Sequence, residues 1–363
     1  MSALEILRQA NQILVSPRAV FSDLDGNERD WTEFVASGSL TRDCEAGAAA
    51  DITFQVPRGV PLPRWSRDTL SLSLEVRDPE HGLSEVLHLG KYTAETPSWP
   101  AGTSVRNIRV KCYDIISAID TPYGHSVTAA RGETVRAGIS RLVLDEALWA
   151  DFSVMLQSPE LDDVRLEDSV WPVGSETTYR TVLDDLLTWA GWRPGWSDRH
   201  GHITSTSWVN LYDDDIYSYL LEPSVVSPGP VRKEDDYGIP NEGTFINWSL
   251  GKVLKRELLA PEHLSVAGRG RPVHIVTEID TLTEQAFEAA ADRAWSEMTS
   301  APVALCFEMP PVPIWWHRDG FQYANDELDF PPGSKFLVRN WRLPLTGTGN
   351  MRVVANYVPL LSA

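Results

Sequence analysis

Residues 175–208 read SETTYRTVLDDLLTWAGWRPGWSDRHGHITSTSW, and this stretch decides the fold class of the chain. It begins with apolar residues at steps of three and four, the spacing of one face of an amphipathic helix: Tyr179, Val182, Leu183, Leu186, Leu187 and Ala190. Gly191 follows, and because glycine has no Cβ it can adopt the left-handed conformation that ends a helix. Trp192, Pro194 and Trp196 then alternate as in a strand, and a polar turn at 198–201 leads into a second strand. The sequence therefore predicts a helix, a glycine stop and a hairpin.

The surrounding residues favour an α/β middle region over residues 126–222. A second helix is predicted over 133–149, where one face collects Val135, Ile139, Leu142 and Val143. Residues 223–240 (PSVVSPGPVRKEDDYGIP) are rich in proline, glycine and charge, a composition typical of a linker or long loop.

Strand patterns lie on both sides of this middle region. Over 21–125 the clearest is Leu70, Leu72, Leu74 and Val76 alternating with polar residues, which predicts a half-buried strand of a small barrel or sandwich. Residues 1–20 are interpreted as an arm, with an amphipathic helix over 3–14 that ends before Pro17. Over 241–363 further strands are predicted, together with an inserted helix at 284–298.

Three segments resemble the tail-hub proteins of long-tailed bacteriophages, many of which are labelled minor tail proteins. They are WAGWRP at 189–194, YGIPN at 237–241 and FPPGSKFLVRNWRLPLTGTGNMRV at 330–353. In that family, two related β-barrel domains per subunit form a trimer whose six barrels match a hexameric tail tube to a threefold tip. The resemblance implies a mixed β fold with α/β, in which two small β-barrel hub domains (21–125 and 241–363) are joined by the α/β middle region.

The resemblance also implies the partners and the location. We expect a homotrimeric baseplate hub at the tail tip of a virion, synthesised in the host cytoplasm. A distal tail protein and the tail tube would lie above it, tip or fiber proteins below it, and a tape-measure protein in its lumen. Genomic DNA would be a partner only in transit, during DNA ejection and host cell entry.

The charge of the chain agrees with a DNA channel. The formal charge is −19, so the chain lacks the basic footprint that holds nucleic acid through its phosphates. A negative wall lets DNA slide without sticking, although acidity that only keeps the chain soluble remains an alternative. The first residues lack a basic segment followed by an apolar run, and no stretch offers about 20 apolar residues, so we expect neither a signal peptide nor a membrane anchor.

No common catalytic motif is present, so we expect a structural protein, not an enzyme, with no cofactor and no metal. His200 and His202 form an HxH pair at a turn but lack a third ligand. Asp184 and Asp185 are expected on the solvated side of the helix. Two alternatives stay open. A carbohydrate-binding receptor module predicts a cluster of exposed tryptophans, and a cell-wall hydrolase predicts two carboxylates that face each other in a cleft.

The fourteen tryptophans are an excess for this length. Trp192 and Trp196 share a face with the apolar helix and are expected in its core. Trp315 and Trp316 are adjacent, and two neighbours on a strand cannot both face inward. One of them is therefore a candidate for a subunit or partner contact, where tryptophan is often a hot spot.

Overall fold

The computed structural model describes residues 14–99, 104–144, 154–155, 160–174, 176–206, 214–234, 238–259, 262–281, 284–299, 303–346 and 349–358. Within these ranges the chain is mostly antiparallel β-sheet with few helices. The strands are β1 (Leu14–Ser22), β2 (Glu28–Asp30), β3 (Val35–Asp43), β4 (Gly47–Pro57), β5 (Thr69–Asp78), β6 (Leu83–Ala94), β7 (Val105–Asp114), β8 (Val127–Ala129), β9 (Val154–Met155), β10 (Ser169–Trp171), β11 (Trp196–Ser197), β12 (Ile203–Thr204), β13 (Val231–Glu234), β14 (Glu242–Asn247), β15 (Lys252–Glu257), β16 (His274–Glu278), β17 (Val303–Met309), β18 (Gly320–Gln322), β19 (Lys335–Pro344) and β20 (Met351–Val358).

The α-helices of the described chain are few. They are α1 (Ile115–Ala118), α2 (Val135–Ile139), α3 (Glu160–Asp163), α4 (Tyr179–Trp189), α5 (Val266–Arg269) and α6 (Glu284–Thr299), and a π-helical turn at Ser140–Leu144 extends α2. In the described residues, no helix combines the length and the apolar character needed to cross a membrane.

Strands from both strand-rich regions form one sheet. Its order is β13-β17-β20-β19-β3-β4-β7-β6-β5-β1-β2, with β18 beside β19. One edge of β3 pairs with β4 and the other with β19, so the two regions share hydrogen bonds from Asn340↔Asp43 to Pro344↔Ser39. A single core cluster carries residues of both regions. The expected mixed β class is confirmed at this level. Among the described strands no closed barrel is found, since the strand order runs as one open path from β13 to β2.

Helix α4 and its stop match the prediction. Val182, Leu183, Leu186 and Leu187 are fully buried in a second core cluster. Gly191 has a φ of 73°, its N–H donates to Thr188 O at 2.9 Å, and the N–H of Trp192 donates to Leu187 O at 2.8 Å. This bonding pattern is a Schellman motif, which satisfies the last carbonyls of the helix. β11 and β12 then form the expected hairpin.

Three other local predictions have different outcomes. Residues 3–13 of the helix predicted over 3–14 lie outside the described part of the chain. Its last residue, Leu14, belongs to β1. The helix predicted over 133–149 is found as α2 and the π-helical turn, and residues 145–149 are not among those described. The predicted linker over 223–240 is partly a strand. Its residues Val231 to Glu234 form β13, which pairs with β17 at the edge of the large sheet.

A small unit inside the last third lies outside the large sheet. β15, β14 and β16 form a three-stranded sheet, and α6 covers one face of it through Phe287 and Ala291 against Phe245. Gly243 lets the indole of Trp295 approach, since a Cβ there would lie 2.8 Å from the ring. This unit accounts for the inserted helix that the pattern predicts at 284–298.

Candidate functional site

The hairpin that follows α4 docks onto the large sheet through aromatic contacts. The indole N–H of Trp316 donates to Ser197 O at 2.8 Å, and the ring of Trp196 stacks on His317 with centroids 4.3 Å apart. Arg199 donates from Nη2 to Ile314 O at 2.9 Å. The stretch that decides the fold is therefore also the contact between the middle region and the sheet.

The segment 310–319, which carries Trp315 and Trp316, is not a strand. Val312 N–H donates to Pro310 O and Ile314 N–H to Val312 O, at 2.7 and 2.9 Å, so the backbone turns instead of alternating. As a result Trp315 and Trp316 are only 3% and 6% exposed. The premise that one of them must face outward is wrong, because it assumed a strand.

A buried ion pair lies beneath these rings. Arg42 on β3 is 0% exposed, and its Nη1 lies 3.5 Å from Oδ2 of Asp114, which is 1% exposed. Nη2 of Arg42 lies 3.2 Å from Nδ1 of His317, and the guanidinium carbon lies 4.8 Å from the Trp316 ring centroid. Burial lowers the pKa of His317 to about 2, and the neighbouring Arg42 adds to this effect, so the imidazole is neutral. The cluster is thus a fixed polar connection inside the fold.

The expectation that Asp184 and Asp185 are solvated is wrong. Both are half-buried. Asp184 accepts the Gly195 N–H at 2.8 Å, and Asp185 accepts the indole N–H of Trp171 at 2.8 Å. Burial raises the pKa of Asp184 to about 6 and also raises the pKa of Asp185. The helix face that looks polar in sequence is covered by the hairpin and by β10.

Asp184 gives the fold a dependence on pH. Its pKa in the folded chain lies above the ordinary 3.8, so the folded chain keeps a proton that the unfolded chain loses between about pH 4 and 6. The free energy of unfolding therefore falls as the pH rises through this range. In Asp184→Asn we expect this fall to shrink by about 2 kcal/mol between pH 4.5 and 7, measured by urea unfolding. Asp120→Asn, at an exposed carboxylate, is the control, and an unchanged pH profile in Asp184→Asn would contradict the assignment.

The histidine pair at the hairpin tip packs against the sheet. His200 lies 4.8 Å from His88, centroid to centroid, and a Cβ on Gly201 would lie 2.5 Å from the Cβ of Lys91. Nδ1 of His202 lies 3.3 Å from Oδ2 of Asp198. Among the described residues, no group of three or more His, Cys, Asp or Glu is arranged to hold a metal ion.

A cleft of about 210 Å³ lies at the junction and brings Cys44, Asp184 and His317 together. These are residue types that enzymes use, but burial raises the pKa of the Cys44 thiol and lowers that of His317, so neither an ionised nucleophile nor a charged histidine is available. Asp184 and Asp185 bond to different elements and do not face each other in this cleft. The carboxylate pair that the hydrolase alternative requires is not found at these two positions.

A second cleft, of about 340 Å³, opens beside Trp315. Ile216, Tyr219, Ile314 and Arg318 line it with Trp315. Trp316 does not line it, since its ring lies on Trp341 at 5.8 Å between centroids. Trp192 is buried and Trp196 is half-buried, so the tryptophans considered for a sugar-binding surface do not form an exposed cluster.

Comparison with known proteins identifies the fold. No protein-family model matches the chain, and no curated protein matches its sequence. Solved structures do match. A tail protein from Neisseria meningitidis is 11% identical, with a TM-score of 0.62 over 95% of this chain and 97% of that one. The 43 kDa tail protein of prophage MuSo2 from Shewanella oneidensis is 10% identical, with a TM-score of 0.58 over 94% and 97%. The c3393 protein of Escherichia coli, described as a type VI secretion component with structural similarity to T4 tail proteins gp27 and gp5, is 11% identical, with a TM-score of 0.50 over 96% and 77%. The chain therefore has the fold of phage tail proteins.

Proposed function

We propose that this chain is a structural subunit of a phage tail tip, a baseplate hub that assembles as a trimer around the DNA channel. The observation that carries the proposal is the fold likeness to two tail proteins over more than nine-tenths of both chains. Location in the virion and a non-enzymatic role follow from the same proposal.

The arrangement of the large sheet supports a threefold to sixfold adapter. One strand-rich region lies on each side of the β3–β19 pair, so each subunit contributes two strand-rich regions joined by one pair of strands. Three subunits would present six, the number that a hexameric tube requires. The distal tail protein and the tube would contact this ring from above, tip or fiber proteins from below, and a tape-measure protein would pass through it with the DNA. The net charge of −19 suits a lumen through which DNA passes without binding.

The equivalent subunit of a type VI secretion system is a second candidate. The likeness to the E. coli protein favours it, but the TM-score there is 0.50 against 0.62, and this chain covers less of that protein. The tail-tip function is therefore preferred.

Within this function we propose Trp315 as a contact residue. The cleft beside it is lined by the apolar side chains of Ile216 and Ile314 together with polar residues such as Arg318, and its volume of about 340 Å³ is large enough for one inserted side chain of a neighbouring subunit. Trp316 keeps the role found above, between Arg42 and the hairpin, and would act on assembly only through the position of Trp315.

The mass of the assembled protein tests both proposals. We expect a trimer by light scattering across roughly 1 to 100 µM, because association follows concentration. Ser218→Trp, at an exposed residue of the cleft, should fill it and shift the protein toward monomer, whereas Ser98→Trp, at an exposed residue elsewhere, should not. A monomer or a hexamer at every concentration would contradict the trimer, and a normal trimer in Ser218→Trp would contradict the contact.

A further inference from the structure

A third cleft lies between α4 and the small sheet. Its volume is about 380 Å³, within the range of pockets that hold small ligands. Trp189, Asp185 and Thr188 of the middle region line one side, and Trp248, Glu278 and Asp280 line the other. It is separate from the junction with the large sheet and from the cleft beside Trp315.

Two tryptophans that line this cleft, Trp248 and Trp189, keep part of their ring surface open to it. Trp248 follows β14 in the turn to β15 and is 70% exposed, the most exposed tryptophan among the described residues. Trp189 stacks on the buried Trp171, with centroids 5.3 Å apart at 27°, and also lines the cleft. An indole presents a broad apolar face, and exposing one to water is unfavourable unless something covers it.

The polar groups of the cleft define what its ligand must offer. Asp185, Glu278 and Asp280 are carboxylates, which only accept hydrogen bonds when ionised, and no Lys or Arg lines the cleft. Phosphate, sulfate and carboxylate ligands are therefore repelled. The suitable ligand carries several hydroxyl or amide donors around a ring with an apolar face, and a pyranose sugar has both.

We propose that this cleft binds a neutral pyranoside, one or two sugar units of a surface glycan. The C–H face of the sugar ring would lie on Trp248, and its hydroxyls would donate to Glu278 and Asp280. Asp185 is held in place by the indole N–H of Trp171 at 2.8 Å and would accept from the end of the ligand nearest α4. The inference goes beyond the proposed structural role and does not depend on the trimer.

Binding to the full-length chain tests this proposal. The probes are neutral tetrasaccharides of glucose, galactose, mannose and N-acetylglucosamine. Their binding is measured by titration calorimetry and by ligand-observed NMR. At least one should bind. Trp248→Ala should weaken that binding about thirtyfold, the factor equivalent to a 2 kcal/mol hot spot, and Asp280→Asn should weaken it less. Trp99→Ala, at a tryptophan 38% exposed elsewhere, is the matched control.

The results of these experiments distinguish sugar binding in this cleft from binding at another place on the protein. Trp248 lies on an exposed turn, so its replacement leaves the fold intact, and circular dichroism of the variant checks this. No binding of any of the four sugars would overturn the proposal. Equal binding in Trp248→Ala would overturn it as well, because the sugar would then lie elsewhere. Salt-sensitive binding of an oligolysine peptide without any sugar binding would replace it with a site for a basic protein segment.

Discussion

Replacing Arg42 with methionine should lower the free energy of unfolding by about 3 to 5 kcal/mol, the cost of leaving a buried charge without its partner. Asp114 is 1% exposed and would keep its hydrogen bonds from the N–H groups of Ala48 and Ser117 and from the Ser117 hydroxyl, none of which carries a charge. The same change also removes the cation that lies over Trp316. We expect the loss to be measured by urea unfolding at pH 7, with the slope of the transition unchanged.

The pH dependence of the stability loss in Arg42→Met distinguishes a lost ion pair from lost packing. Burial raises the pKa of Asp114 above its ordinary value, and Arg42 opposes that rise. Without Arg42 the pKa should rise further, so the folded chain would hold its extra proton to a higher pH. Stability then falls over a longer range as the pH increases, and Arg42→Met should be more destabilising at pH 8 than at pH 4. Equal losses at both values would contradict the role of the pair.

Two comparisons make this result specific. Arg109→Met removes the partner of Asp51 in the same sheet, but Arg109 is 71% exposed, so its loss should be much smaller. The double variant Arg42→Met with Asp114→Asn should cost less than the sum of the single variants, because each single change leaves the other group unpaired. Additive losses would show that the two residues act independently.

The parts of the fold that sequence predicts are local ones. The face of α4 and the left-handed Gly191 follow from spacing and from the missing Cβ, and both are found. Helix α6 is predicted in the same way. Such features depend on residues within a few positions of each other, where periodicity carries the information.

The parts that sequence does not predict depend on distant pairing. No sequence pattern places Arg42 in a core, and its burial results from β19 and the 310–319 segment, which lie against it. Asp184 is predicted to be solvated from the helix pattern alone. In the fold it is half-buried because the backbone at Gly195 lies against it and donates a hydrogen bond to it. The spacing of the prolines at Pro310, Pro311 and Pro313 is the one signal that could have warned against a strand at Trp315.

Replacing Trp341 with alanine should cost about 3 to 5 kcal/mol in the free energy of unfolding, because it leaves a large cavity at the joint of the two strand-rich regions. Trp341 is 1% exposed, pairs with Arg42 across β3 and β19, and pairs with Val353 on β20. It is the largest fully buried side chain of the described residues. The loss should be seen in urea unfolding and in faster proteolysis of both regions together, since one sheet carries both.

Trp341→Phe distinguishes volume from hydrogen bonding at this position. Within the described part of the chain, the indole N–H of Trp341 is buried without a hydrogen-bond partner, so a phenyl ring gives up no bond and relieves one unpaired donor. The phenylalanine variant should therefore lose less than half of what the alanine variant loses. Equal losses in the two variants would mean that the indole N–H is bonded in solution.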